Sequence, residues 1–244
     1  MIEVKELHKK FGKVVAVDDV SFNAPDGVVT GLLGPNGAGK TTTLRILTTL
    51  IAPDRGSAAI DGEQISADPI GIRRKLGVLP DARGLYPRLT AREHIHYFGE
   101  LHGLRGAKLR EQTDKLVELL DMKEIVDRRV EGFSHGERVK VALARALVHE
   151  PRNVLLDEPT NGLDVMSTRA VREIIRRLKA EGRCVLFSSH VMQEVSALCD
   201  RIVVIARGRV VADGTPDELR AKAGKESLEE AFVAVIGSDA GLRS

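Results

Sequence analysis

Eight consecutive residues, GPNGAGKT from Gly34 to Thr41, constrain this chain more than any other feature. They fill every fixed position of the pattern G-x-x-x-x-G-K-[ST], a glycine-rich phosphate loop, or P-loop. The apolar run VVTGLL precedes them and KTTTLRILTTL, a helix-forming stretch, follows. That strand–loop–helix order is the context the loop needs. Its glycines let backbone N–H groups converge on phosphate oxygens, and the helix N-terminus adds a favourable dipole. Lys40 would reach the β- and γ-phosphates of a nucleotide, and Thr41 would ligate Mg²⁺.

The rest of the chain reads as the α/β fold such a loop requires. Strand-like runs fall at 2–7, 14–23, 28–33, 57–60, 76–79, 153–157, 184–189, 202–206 and 209–212. Helical patterns fall near 39–50, 90–102, 108–120, 136–149, 165–181, 191–198 and 216–223. Strands alternating with helices argue for a mainly parallel sheet. VLLD, apolar up to its acid, suits a strand covered on both faces. Residues 2–23 read instead as an antiparallel flap. Residues 82–150 break the alternation and are nearly all helical, with Gly84, Pro87 and Gly132 near the joints. The expectation is a P-loop NTPase of RecA-like type with an antiparallel β flap and an inserted helical subdomain. One ATPase domain would span 1–225, its core 1–81 and 150–225 and its helical part 82–149. Residues 226–244 would form an extension in which SLEEAFVAVI is a candidate docking helix.

Composition excludes several other classes. The 244 residues are 43% apolar, enough for a sizeable core. Charged residues reach 30%, yet the net charge is only +2, which gives no reason to expect nucleic-acid binding. Cys184 and Cys199 have no metal-binding spacing and read as reduced core thiols of a cytosolic protein. No run approaches the ~18 apolar residues of a membrane span, and the first ten residues lack a secretory h-region.

A P-loop needs an acid at the end of a neighbouring strand to hold the Mg²⁺ shell. Asp157, after NVLL, fits, and Glu158 follows it at the place of a carboxylate that orients and deprotonates an attacking water. Upstream, Ser134 and Glu137 are spaced as a capping box before the helical run Val139, Ala142, Leu143, Ala146 and Leu147. Ser134 is therefore either a helix cap or part of a second anion site. Both roles use the same unsatisfied helix terminus.

The ordered set GPNGAGKT, FSHGE, LARALVHEP, LLDEPTNGLD and SSH, over residues 2 to about 220, resembles the ATP-binding subunit of ABC transporters. The resemblance implies an ATPase whose two copies pair head to tail, each ATP held between the P-loop of one chain and the signature turn of the other. Gly34, Pro35, Asn36, Gly37, Ala38, Gly39, Lys40, Thr41 and Thr42 would bind ATP, with Phe11 stacked on adenine. Ser134 and Gly136 would meet the partner's nucleotide, and Asp164 would lie on the loop that crosses the interface. Glu158 and His190 would be catalytic. Thr41, Asp81 and, through water, Asp157 would hold Mg²⁺. It further implies two membrane-spanning partner subunits and a place on the cytoplasmic face of the cell membrane. The stretch DARGLYPRLTAREHIHYFGELHGL resembles the exporter branch associated with sodium and drug efflux. A soluble, non-transport ATPase of the same family, for example in Fe–S assembly, is the alternative.

Three positions depart from the family pattern. Asp81 stands where a glutamine is usual and, when ionised, can only accept hydrogen bonds. His135 replaces the first signature glycine, either to assist phosphate binding or simply to face solvent. Glu137 replaces the final signature glutamine, and the capping box predicts that its carboxylate turns back to the helix start rather than toward phosphate.

Overall fold

The structure is a computed structural model and describes residues 1–81 and 84–240. Polar and apolar residues mix along the first strand, β1 (Ile2–Phe11), where Ile2, Val4 and Leu7 are buried and Lys5 and Glu6 exposed. β1 pairs antiparallel with β2 (Val14–Ala24) on one side and with β4 (Arg55–Ile60) on the other. The short β5 (Glu63–Gln64) completes a four-stranded sheet in the order β2-β1-β4-β5. The run at 57–60 thus joins the flap, an assignment that periodicity alone does not make.

The second sheet contains the P-loop strand. β3 (Val29–Leu33), β6 (Leu76–Leu79), β7 (Asn153–Asp157), β8 (Cys184–Ser189) and β9 (Arg201–Ala206) run parallel, and β10 (Arg209–Gly214) adds an antiparallel edge. The order is β10-β9-β3-β8-β7-β6. All residues of β3, β7 and β8 are buried, as expected of parallel strands covered on both faces. Successive side chains point to opposite faces. Val154 and Leu156 accordingly join one apolar cluster, and Leu155 joins the other.

Helices fill both sides. α1 (Lys40–Leu47) and α2 (Pro69–Arg74) pack on the face shared with the flap. The opposite cluster takes in α3 (Ala91–Leu101), α4 (Gly106–Leu119), α5 (His135–Leu147), α6 (Val165–Ala180) and α7 (Met192–Leu198). α6 buries Val171, Ile174, Ile175 and Leu178, the face expected from 3.6-residue periodicity. α3 and α8 (Pro216–Ala223) each begin with a complete Thr-x-x-Glu capping box, from Thr90 and Thr215. α9 (Leu228–Ala240) docks through Leu228, Phe232 and Ile236 onto the same cluster. Ala82 and Arg83, at the start of the expected helical insertion, and residues 241–244 lie outside the described residues. Among the described residues no helix is long and apolar enough to cross a membrane.

Candidate active site

The parallel strands β3, β8 and β7 are neighbours, and each ends in residues singled out above. After Leu33 the chain turns through Gly34–Gly39 into α1. Two of its glycines are required by contact. A Cβ on Gly34 would stand 2.1 Å from the Ile205 carbonyl oxygen. Gly39 has φ +108° and a Cβ there would stand 2.4 Å from the Ala16 carbonyl oxygen. A non-glycine residue in such a conformation costs about 1–3 kcal/mol, before any clash. Gly39→Ala is therefore expected to weaken ATP binding at least about tenfold, since each tenfold is about 1.4 kcal/mol. Titration with a fluorescent ATP analogue checks this; unchanged affinity would mean that the loop tolerates a side chain there.

Lys40 is buried. Its Nζ donates to the carbonyl oxygens of Gly34 (2.8 Å) and Pro35 (3.3 Å) and lies 3.4 Å from Glu158 Oε1. The ammonium is thus held between the loop carbonyls and Glu158, one residue past the end of β7. Thr41 Oγ1 donates to Asp157 Oδ1 at 3.2 Å.

Asp157 pairs in register with Ser188 of β8, so both side chains leave the same face of the sheet. Ser188 Oγ donates to Asp157 Oδ1 at 2.6 Å and accepts the Glu158 N–H at 3.0 Å. Glu158 needs that anchor, because its φ is +47°, a left-handed value uncommon for a residue with a side chain. Burial pushes the Asp157 carboxyl above its usual range. The hydrogen bonds from Ser188 and Thr41 oppose this, while the charges of Asp81 and Glu158 add to it. His190 lies one residue beyond β8, and its Nδ1 is 2.9 Å from Glu158 Oε2. An ionised carboxylate only accepts, so Nδ1 carries the proton in this pair.

Lys40, Thr41, Glu158 and His190 share an open cleft of about 460 Å³, within the usual size of ligand sites, while Asp157 and Ser188 are not among its lining residues. Its walls are Asn36 to Thr42, Asp81, Glu158 and His190, together with Ala16 and Asn161, which the sequence did not single out. Phe11 is not among the lining residues. It lies at the end of β1, 49% exposed, with Lys9 Nζ 5.7 Å from its ring centre.

Ser134 and Gly136 are not among the cleft's lining residues either. Ser134 caps α5: its Oγ accepts the Glu137 N–H at 3.2 Å, and its N–H donates to Glu137 Oε2 at 2.7 Å. The Glu137 carboxylate turns back to the cap, and that backbone bond holds its pKa below the usual range. A Cβ on Gly136 would meet Ser167 Oγ at 2.5 Å, so a side chain there would force the Ser167 hydroxyl to turn away from its bond to Asp164. His135 does not simply face solvent. Its Nε2 is 3.0 Å from the Asn161 carbonyl oxygen, joining the signature turn to a loop that lines the cleft. Asp164 caps α6, accepting the Ser167 N–H (2.9 Å) and Oγ–H (2.7 Å). The next two residues, Val165 and Met166, are apolar and 75% and 70% exposed.

Residues 17–161 match the model of the ABC transporter family. The chain belongs to the ABC transporter family. Its relatives include the ABC transporter ATP-binding protein NatA of Bacillus subtilis, 42% identical over 241 residues, 97% of this chain and 98% of NatA. The doxorubicin resistance ATP-binding protein DrrA of Mycobacterium tuberculosis is 39% identical over 236 residues, 93% of this chain and 71% of that protein. Among solved structures, an ATP-binding subunit of an ABC transporter superposes with TM-score 0.89 and 32% identity, covering 96% of this chain and 99% of that one. A dimeric ABC cassette in a post-hydrolysis state with ADP and Pi superposes with TM-score 0.80 and 26% identity, covering 88% and 98%. This ABC transporter chain binds ATP and is an ATPase.

The oxygens around Asp157 fit a Mg²⁺ ion. Thr41 and Asp157 present hard oxygens side by side, and Mg²⁺ is usually held by one or two protein oxygens plus substrate phosphates. A cation there would also favour the ionised form of the buried Asp157 carboxyl.

Ser188 and Asn161 fall within SSH and LLDEPTNGLD, but the motifs assign neither a role of its own. Ser188 matters because register sets it opposite Asp157, and Asn161 because its loop folds back over the cleft.

Proposed function

We propose that this ATPase energises an exporter by closing on a second copy of itself when ATP binds and reopening after hydrolysis. The carrying observation is that the Ser134–Gly136 helix start lies outside the cleft that holds Lys40, Glu158 and His190. A helix N-terminus attracts anions. The exposed Val165 and Met166, on the neighbouring helix, supply an apolar surface for the second copy. Asp164 would begin the segment that crosses between copies.

Within the cleft, the P-loop amides and Lys40 would bind the β- and γ-phosphates and Thr42 the α-phosphate, while Phe11, outside the cleft at the end of β1, would stack on the adenine ring. Mg²⁺, when bound, neutralises charge on the phosphates, and Thr41, Asp157 through water and Asp81 would hold it. Glu158 would take the proton of the attacking water. His190, oriented by its Nδ1–H bond to Glu158, would place its other ring nitrogen toward the γ-phosphate. The same reading divides the chain into a core of 1–81 and 150–225, a helical unit of 82–149 and an extension of 226–244.

Two membrane-spanning subunits would take up the closure on the cytoplasmic face of the membrane. Similarity to a doxorubicin resistance protein and the 81–104 stretch support export. Fractionation tests this: the chain is expected to sediment with membranes only when its membrane subunits are co-expressed. A chain that stays in the soluble fraction beside them would overturn the transport reading in favour of a soluble ATPase.

A further inference from the structure

Glu158 and His190 sit on two separate segments, yet their side chains meet at 2.9 Å. The ladder between β7 and β8 ends at Asp157 and Ser188, one residue before Glu158 and two before His190. Backbone pairing therefore stops just short of the pair. Behind it lies a carboxylate that does not line the cleft. Glu194, in the first turn of α7, is only 7% exposed. Its Oε2 accepts a hydrogen bond from Thr160 Oγ1, two residues beyond Glu158. The same oxygen lies 3.5 Å from Ser189 Oγ, and that hydroxyl accepts the Val191 N–H at 3.0 Å. Ser189 and Val191 flank His190. One buried oxygen thus joins the segment that carries Glu158 to the segment that carries His190. Burying a carboxylate is costly unless it is hydrogen-bonded, and an apolar residue at position 194 would avoid that cost but make no bridge.

We infer that Glu194 is a positioning residue for ATP hydrolysis, acting through the Glu158–His190 pair rather than on the nucleotide. The inference rests on the roles given to Glu158 and His190 above. It predicts a loss in kcat with little change in KM for ATP, because the P-loop contacts are untouched. A misplacement of about 1 Å can cost on the order of a hundredfold.

The test uses Glu194→Ala, Glu194→Asp, His190→Ala and the double variant Glu194→Ala/His190→Ala. Each is measured for steady-state kcat and KM, ATP affinity and thermal midpoint. Glu194→Asp keeps the charge but is one methylene too short to span Thr160 and Ser189. The expected result is a kcat loss of about 10- to 100-fold for Glu194→Ala and Glu194→Asp, with KM and ATP affinity within about threefold of the parent. In the His190→Ala background the same change should cost less than about threefold, because coupled residues are non-additive. Equal cost in both backgrounds, or parental kcat in Glu194→Asp, would overturn the proposal, as would losses that merely follow a fall in the thermal midpoint. If His190→Ala alone keeps full turnover, the reading of the pair fails first and this inference with it. If His190→Ala is impaired and Glu194→Ala is not, the bridge alone fails.

Discussion

Glu158→Gln is expected to bind ATP as the parent does and to lose about two to four orders of magnitude in turnover, the range for removing a general base. Glutamine keeps the volume of the side chain. Its carbonyl oxygen can still accept the bond from His190 Nδ1, and its backbone N–H can still donate to Ser188. What disappears is the negative oxygen able to take a proton from water, together with the charge 3.4 Å from Lys40. ATP should then persist uncleaved, and the variant should run as a dimer only with ATP present. Phosphate release and size exclusion with light scattering measure the two halves. Turnover within about threefold of the parent would remove Glu158 from the role of base.

The second large effect concerns the turn that starts α5. Placing Ser134→Arg in the Glu158→Gln background should abolish the ATP-dependent dimer while ATP binding to the monomer continues. The side chain at 134 does not line the cleft, so its own nucleotide should not register the change. Loss of the Ser134 cap costs about 1 kcal/mol, too little to unfold a domain of this size. The long arginine would instead occupy the space in which the partner's phosphate has to approach the start of α5. A weakening of at least about a hundredfold corresponds to about 2.7 kcal/mol. A dimer that persists would show that Ser134 is a helix cap and nothing more.

The candidate site residues were legible because each is tied to a local pattern. Gly34–Thr41 has fixed spacing, Asp157 and Glu158 end an apolar run, and Ser134 and Glu137 announce a cap three residues apart. The capping box also told correctly where the Glu137 carboxylate points. Other features depend on contacts between distant segments and leave no such mark. β4 pairs with β1 across about fifty residues, and nothing in RGSAAI says which sheet it joins. α2 is only six residues long, too short for periodicity to declare it. Ala16 enters the cleft wall because the P-loop folds against β2, where its carbonyl oxygen faces Gly39. Ser188, Asn161 and Glu194 are ordinary residues by type. Their partners lie 26 to 34 positions away and become neighbours only once the parallel ladder forms. His135 shows the same limit: a substitution at a familiar motif was visible, and its hydrogen bond to the Asn161 carbonyl was not.

The adjacency of β3, β8 and β7 has a mechanical consequence. Neighbouring strands stand about 4.8 Å apart because peptide hydrogen bonds set that distance. Lys40 follows one strand, His190 the next and Glu158 the third, so the spacing of the reactive groups is ruled by the backbone lattice. A mutation in a surface loop leaves that ruler unchanged. A one-residue slip between β7 and β8 would put Asp157 and Ser188 on opposite faces, unseating both acids together. Tolerance to change should therefore be steeply uneven along this chain, narrow at three adjacent strand ends and at the start of α5, and broader in the other connections.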